Sequence, residues 1–121
     1  MTTLENAYAA PIEALTTLRA RILDDVASLT ESMSALRVVR ESSSDDDEHD
    51  PEGPTLSSEW SRIRGLLLEA EAQLAETDAA SARVEAGTYG LCQNCGRPIP
   101  PARLEARPAA RLCVPCASAL T

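Results

Sequence analysis

The chain has 121 residues, of which 44% are hydrophobic, but it contains no Phe, two Tyr and one Trp, and its net charge is −8. This composition excludes a large aromatic core and suits long helices that are rich in Ala and Leu. No apolar run is long enough to cross a membrane, and the acidic balance makes direct DNA binding unexpected, because such binding depends on basic residues that displace counterions from phosphates.

A long first helix is predicted to begin at Pro11, after a short lead-in at residues 1–10. Proline is well tolerated in a first helical turn, and neither Pro nor Gly recurs before Pro51. Apolar residues then recur every three or four positions, which places them on one helical face that we call the apolar seam. The seam positions are Leu15, Leu18, Ile22, Val26, Leu29, Met33 and Leu36.

A second helix with the same spacing is predicted to end at Gly87, a residue type that commonly terminates helices. Its seam positions are Trp60, Ile63, Leu67, Ala70, Leu74, Thr77, Ser81 and Val84. When a seam position of one helix is paired with one of the other, the two residue numbers add to the same value, for example 33 with 63 and 26 with 70. Antiparallel helices that fold back near residue 48 require this constant sum. The predicted fold class is therefore all-α, with residues 11–86 forming a long antiparallel coiled-coil hairpin.

Residues 41–54, which we call the tip, lie where the two helices reverse direction. Seven acids and no Arg fall between Glu41 and Glu52, and Pro and Gly interrupt the segment, so we expect a loop. A hydroxyl side chain just after the tip is expected to cap the second helix, the candidates being Thr55, Ser57 and Ser58.

The four cysteines form two C-x2-C pairs, Cys92 with Cys95 and Cys113 with Cys116, and seventeen residues separate the pairs. This spacing matches a four-thiolate structural zinc site, since each short turn presents two sulfurs to one tetrahedral ion. Gly96 supplies the positive φ that such a turn favours. Because four cysteines close the coordination sphere, we expect one structural zinc ion, held in a small C-terminal zinc lobe at residues 87–121.

The cysteines have other possible uses. Disulfides require an oxidising compartment, but the first fourteen residues contain Glu5 and Glu13 and no apolar signal segment, so a cytoplasmic setting is expected. An iron ion accepts the same four thiolates, and spacing alone does not separate it from zinc. With the cysteines assigned to metal and the single His49 in the acidic tip, no nucleophile–base pair is evident, and we expect no enzyme activity.

Four arginines accompany the cysteines and give the lobe a net charge of +3: Arg97, Arg103, Arg107 and Arg111. Either they offset the charge of about −2 on four thiolates and one divalent ion, or they bind an acidic partner or a phosphate. A short helix is predicted to start at Pro100-Pro101 and to run through Ala106, ended by Pro108.

The lobe resembles the DksA/TraR proteins, a family with a four-cysteine zinc finger. The similarity is carried by residues 87–96 (GTYGLCQNCG), 103–108 (RLEARP) and 112–116 (LCVPC). It implies a bacterial transcription regulator that binds RNA polymerase rather than DNA and inserts its coiled coil into the secondary channel. The resemblance also implies that the tip acids contact the polymerase near its catalytic magnesium ions, the candidates being Asp45, Asp46, Asp47, Glu48, Asp50 and Glu52.

Two departures from the family pattern bear on function. Active members carry Asp-x-x-Asp-x-Ala at the tip, whereas the matching segment from Asp50 has Gly53 and Thr55 at the last two defined positions. The family's guanosine tetraphosphate site uses an Arg that matches Arg107 and two Lys whose places hold Glu76 and Ala117, so we expect weak or absent binding of that nucleotide.

The alternative function is a protein–protein interaction module with a structural zinc finger and no role in the polymerase channel. Such a module would dock through apolar residues that lie off the seam, namely Leu23, Val38, Val39, Leu66 and Leu68. Under both interpretations we expect a monomer.

Overall fold

The computed structural model describes residues 2–43 and 53–120. These residues form four helices, α1 (Thr2–Ser43), α2 (Gly53–Ala86), α3 (Pro101–Ala106) and α4 (Val114–Ala119). The two long helices pack as an antiparallel hairpin, and the two short ones belong to the zinc lobe. Within the described ranges the only strand-like pairing is an isolated bridge between Leu91 and Pro98. The all-α prediction is confirmed.

The chain forms two compact units. One unit combines Met1–Arg21 with Leu74–Thr121, and the other is Ile22–Gln73. Both long helices contribute to each unit. The first unit joins the start of α1 to the zinc lobe, whereas the sequence-based division at residues 10 and 86 kept the two apart.

The predicted start of the first helix at Pro11 is wrong, because α1 begins at Thr2 and Pro11 lies inside it. Proline lacks the N–H that would bond to the preceding turn, and in a helix interior this usually breaks the helix. Here Pro11 is almost fully buried, and the seam spacing continues through it from Leu15 back to the partly buried Tyr8. Apolar contacts therefore hold the residues before Pro11 in the same helix.

The apolar seam is the core of the hairpin, as predicted. In the unit Ile22–Gln73 its most buried residues are Ile22, Met33, Ile63 and Ala70. In the other unit Leu15, Thr77 and Ala80 are buried. Ala80, not the predicted Ser81, is fully buried, since a step of three from Thr77 keeps a methyl group inside and leaves the hydroxyl at the edge.

One ion pair joins the two long helices and shows which positions of α1 and α2 lie opposite each other. The Arg19 Nε atom donates to the Asp78 Oδ1 atom at 2.6 Å. The sum of these two residue numbers is nearly the same as that of the paired seam residues, which agrees with the predicted antiparallel register. Both side chains are about half exposed, so the pair contributes at most about 1 kcal/mol to the free energy of unfolding.

The helices extend further toward the tip than predicted, so residues 41–43 and 53–54 are helical. Consequently Thr55, Ser57 and Ser58 lie inside α2 and do not cap it. Pro54 suits the start of a helix, because the first turn needs no N–H from it. The candidate tip acids, Asp45, Asp46, Asp47, Glu48, Asp50 and Glu52, lie outside the described residues.

Candidate metal centre

The first cysteine pair lies in a tight turn held by backbone hydrogen bonds. The Ile99 N–H group donates to the Gly90 carbonyl at 2.7 Å, and the Cys92 N–H group donates to the Arg97 carbonyl at 2.8 Å. The Gly96 N–H group closes the turn on the Cys92 carbonyl at 2.9 Å, with Gly96 at a φ of 75°. The positive φ predicted for Gly96 is confirmed, and the turn sets two sulfurs side by side.

The second cysteine pair lies at the start of α4. Cys113 is the residue before the helix, and Cys116 follows within its first turn, so the helical geometry brings both sulfurs to one side. A hydrogen bond from the Gln93 N–H group to the Arg111 carbonyl, 2.9 Å long, joins this segment to the first turn.

The four sulfur atoms of Cys92, Cys95, Cys113 and Cys116 all lie within 4.8 Å of one another. The Cys95 and Cys113 sulfurs are 3.9 Å apart. A tetrahedron with zinc–sulfur bonds of about 2.3 Å has edges of about 3.8 Å, whereas a disulfide requires about 2.05 Å. All four cysteines are free, so the arrangement fits one tetrahedral metal ion and not a pair of disulfides.

The pKa values of two of the thiols are shifted in opposite directions by their surroundings. A hydrogen bond from the Cys95 backbone, with others from the backbones of Cys113 and Asn94, lowers the pKa of Cys92 to about 6. These hydrogen bonds outweigh burial, which alone would raise this pKa. At Cys116 the Asn94 amide donates at 3.3 Å and lowers the pKa, but the neighbouring thiols and burial together outweigh it and raise the pKa to about 11. A cation is therefore needed before the Cys116 sulfur can bind as a thiolate.

A small apolar core surrounds the metal site. Its buried members are Cys92, Ile99, Leu104, Leu112 and Cys113. The predicted short helix through Ala106 is confirmed as α3, which begins at Pro101 with Pro100 just before it and buries Leu104 in this core. The core has only three buried large aliphatic side chains, with Tyr8 and Tyr89 partly buried against it, so we expect the fold of the lobe to depend on the metal.

The four lobe arginines do not share one environment. The Arg103 Nε atom donates to the Leu112 carbonyl at 2.9 Å, so this side chain links α3 to the second cysteine segment. Arg97, Arg107 and Arg111 are exposed. In the described part of the chain, none of these guanidinium groups forms a hydrogen bond with a cysteine sulfur. A role in binding an acidic partner remains a prediction for the exposed three.

Two tyrosines connect the start of α1 to the lobe, and the sequence analysis did not assign either of them. The Tyr8 hydroxyl donates to the Ile99 carbonyl at 2.7 Å, and the Tyr89 hydroxyl donates to the Pro108 carbonyl at 2.8 Å. Their rings meet edge to face, with centroids 6.2 Å apart. Burial raises the pKa of Tyr89 to about 12, so this phenol stays protonated and able to donate at neutral pH.

Arg83 is a second connection that the sequence did not reveal. Its Nη2 atom donates to the carbonyls of Ala109 and Ala110 at 3.4 and 3.5 Å, and burial lowers the pKa of the guanidinium. Its place in the last turn of α2 was the available signal, since basic residues there often bond to carbonyls. Tyr8 had a clearer signal, because it lies seven residues before Leu15 and thus continues the seam.

The zinc lobe is similar in sequence to known zinc fingers. Residues 87–121 match the family model described as the prokaryotic dksA/traR C4-type zinc finger. An uncharacterized protein of Aquifex aeolicus is 50% identical over 46 residues, which cover 38% of this chain and 32% of the relative. The RNA polymerase-binding transcription factor DksA of Caulobacter vibrioides is 51% identical over 41 residues, which cover 34% of this chain and 29% of the relative. The chain thus spans about a third of the length of these curated relatives.

The fold also has a counterpart among solved structures. The structure of transcription factor DksA2 from Pseudomonas aeruginosa superposes with a TM-score of 0.58, over 94% of this chain and 88% of that chain, at 22% identity. The two proteins share a fold. Among the described residues, no helix is both long and apolar enough to cross a membrane.

Proposed function

We propose that this chain, whose residues 87–121 form a C4-type zinc finger of the DksA/TraR family, is a bacterial regulator that binds RNA polymerase and acts on transcription initiation. One combined observation carries the proposal. A stretch of 41 residues is 51% identical to an RNA polymerase-binding transcription factor, and the chain shares the fold of DksA2 over 94% of its length.

The proposed binding mode is insertion of the tip into the secondary channel of the polymerase. Two observations support it. In the antiparallel hairpin α1 ends at Ser43 and α2 begins at Gly53, so the six candidate acids fall in the short segment of sequence that connects the two helices. Carboxylates are the side chains that bind magnesium ions or basic residues, both of which a polymerase offers near its active centre.

The metal has a structural role in this proposal. The residues that would hold it are Cys92, Cys95, Cys113 and Cys116, and a zinc ion there stabilises the lobe and performs no reaction. Because Tyr8 and Arg83 bond to backbone carbonyls of the lobe, an ordered lobe fixes the ends of both long helices. The chain acts as a monomer in the cytoplasm, without catalytic residues of its own and without contacting DNA directly.

The tip acids carry the activity in this proposal, and their charge is the property to test. We expect Asn in place of Asp45, Asp46, Asp47 and Asp50 to abolish the effect of the chain on transcript yield from purified RNA polymerase, while circular dichroism and zinc content stay unchanged. A matched control removes four exposed acids from the body of the hairpin instead, in the variant Asp24→Asn, Asp25→Asn, Glu69→Gln and Glu71→Gln. Equal transcript yields with the wild type and the tip variant would refute the role of the tip.

A second candidate function is docking to a protein other than the polymerase. The observation that favours it is the exposure of Leu66 and Leu68 on α2, at 40% and 54% of their surface. Leu23, Val38 and Val39 are also exposed, as their positions off the seam predicted. A chain that binds no polymerase but retains these apolar surfaces would support this second function.

A further inference from the structure

The single tryptophan of the chain lies under an arginine. Trp60 occupies a seam position and was expected to pack in the core, yet it is only partly buried. The Arg40 guanidinium carbon lies 5.1 Å from the centre of the Trp60 ring, within cation–π distance. The ring therefore has a polar partner on its face instead of an aliphatic one.

Arg40 occupies a position at which the seam spacing predicts an apolar residue. The spacing of three and four that runs through Met33 and Leu36 next reaches position 40. A leucine there would extend the hairpin core by one more layer, whereas the arginine brings a permanent charge to the edge of that core. This departure from the pattern points to a use other than packing.

An open groove of about 430 Å³ lies at this point, lined by Arg37, Arg40, Glu41 and Trp60. Arg37 lies one turn before Arg40 on α1, so the two guanidinium groups share one helical face. Neither the ion pair of Arg19 with Asp78 nor that of Arg62 with Glu59 involves Arg37 or Arg40. Two cations and an aromatic ring thus border the groove, a composition common in the parts of protein interfaces that contribute most to affinity.

We propose that the arginine–tryptophan cluster, defined as Arg37, Arg40 and Trp60, is a docking site for a carboxylate-bearing segment of the partner protein. Two arginines on one helical face are complementary to carboxylates, and the planar guanidinium of each can bind one through two hydrogen bonds. Trp60 holds Arg40 in place, which lowers the entropy lost when the partner binds. The aromatic ring then supplies apolar contact beside the charge.

A protein segment fits this site better than nucleic acid does. Single-stranded nucleic acid uses the open face of an aromatic ring to stack a base, but Arg40 already covers a face of Trp60. The surface is therefore suited to a protein segment that presents a carboxylate beside some apolar area.

This inference rests on the proposed function, because the partner is taken to be RNA polymerase. The zinc-loaded full chain is passed over immobilised core polymerase, and affinity is measured for the wild type, Arg40→Leu, Trp60→Phe and the control Arg21→Leu. Arg21 is an exposed arginine of the same helix, outside the cluster. Arg40→Leu keeps the hairpin folded, since leucine suits the seam, which separates loss of docking from loss of structure.

We expect Arg40→Leu to weaken binding about tenfold and to reduce its sensitivity to salt, as the loss of a charged contact at an interface predicts. Trp60→Phe retains most of the affinity because it keeps an aromatic face under Arg40, and Arg21→Leu binds like the wild type. Equal affinities for Arg40→Leu and the wild type would overturn the docking site alone. Failure of the wild type to bind polymerase would overturn the proposed function and this assignment with it. Retention of single-stranded DNA that is lost in Arg40→Leu would assign the cluster to nucleic acid and contradict the inference.

Discussion

Replacing Cys113 with Ser is expected to unfold residues 87–120 while the hairpin in Ile22–Gln73 stays helical. The sulfur of Cys113 lies 3.9 Å from that of Cys95, within the group of four that fits one tetrahedral ion. Metal binding supplies about 10 kcal/mol or more of the folding free energy in small zinc-dependent folds, far more than a core of three aliphatic side chains provides. Loss of one ligand therefore removes the main stabilising interaction of the lobe.

Hydrogen exchange measures this effect residue by residue. Amide protection should be lost across the lobe and reduced near Tyr8, whose hydroxyl bonds to the Ile99 carbonyl, but it should persist at Met33 and Ile63. The matched control is Ala119→Ser, an exposed change in α4 that leaves all four ligands in place. Zinc content and lobe protection should be normal in the control. Undiminished protection of the lobe in Cys113→Ser would show that the metal does not specify its fold.

Gly90→Ala is expected to destabilise the unit that contains the lobe by about 2–5 kcal/mol. A Cβ atom at this position would lie 2.9 Å from Cζ and 3.0 Å from Cε1 of Tyr8, and the backbone has a φ of +91°. Overpacking typically costs about 1–3 kcal/mol, and the left-handed backbone adds about 1–2 kcal/mol for a residue with a side chain. The Tyr8 ring has little freedom to move, since its hydroxyl is hydrogen-bonded and its ring meets that of Tyr89 edge to face.

A matched pair of variants separates these two costs. At Gly87, with a φ of +79°, an added Cβ meets no atom within 4 Å, so Gly87→Ala should cost only the backbone term of about 1–2 kcal/mol. Urea unfolding of the zinc-saturated chains gives both values. In a Tyr8→Ala background, Gly90→Ala should lose most of its extra cost. Equal destabilisation by the two glycine variants in the wild-type background would mean that the Tyr8 ring does not pack on Gly90.

Much of this structure could be predicted because it is encoded in spacing. The two C-x2-C pairs specify a metal site from short turns alone, and the structure brings their sulfurs within 4.8 Å. The recurrence of apolar residues every three or four positions specifies the buried face of each helix. The constant sum of the paired residue numbers specifies an antiparallel register before any contact is known. Both signals depend on local backbone geometry, which repeats from protein to protein.

The features that the sequence did not predict depend on partners without a period. Arg83 and Arg103 bond to carbonyls of irregular backbone in the lobe, and no pattern in the sequence indicates where those carbonyls lie. Tyr8 was missed for another reason, since Pro11 was interpreted as the start of the helix although the seam spacing extends past it. Arg40 was missed because a polar residue at a seam position ends the apolar pattern instead of continuing it.

Binding of the zinc-loaded chain to purified core RNA polymerase, with and without a known secondary-channel binder as competitor, tests the central claim most directly. The account predicts saturable binding that the competitor displaces, since both proteins would occupy the same channel. Binding that the competitor leaves unchanged would place the chain elsewhere on the polymerase. The absence of any binding would contradict the proposed function and favour docking to another protein through exposed residues such as Leu66 and Leu68.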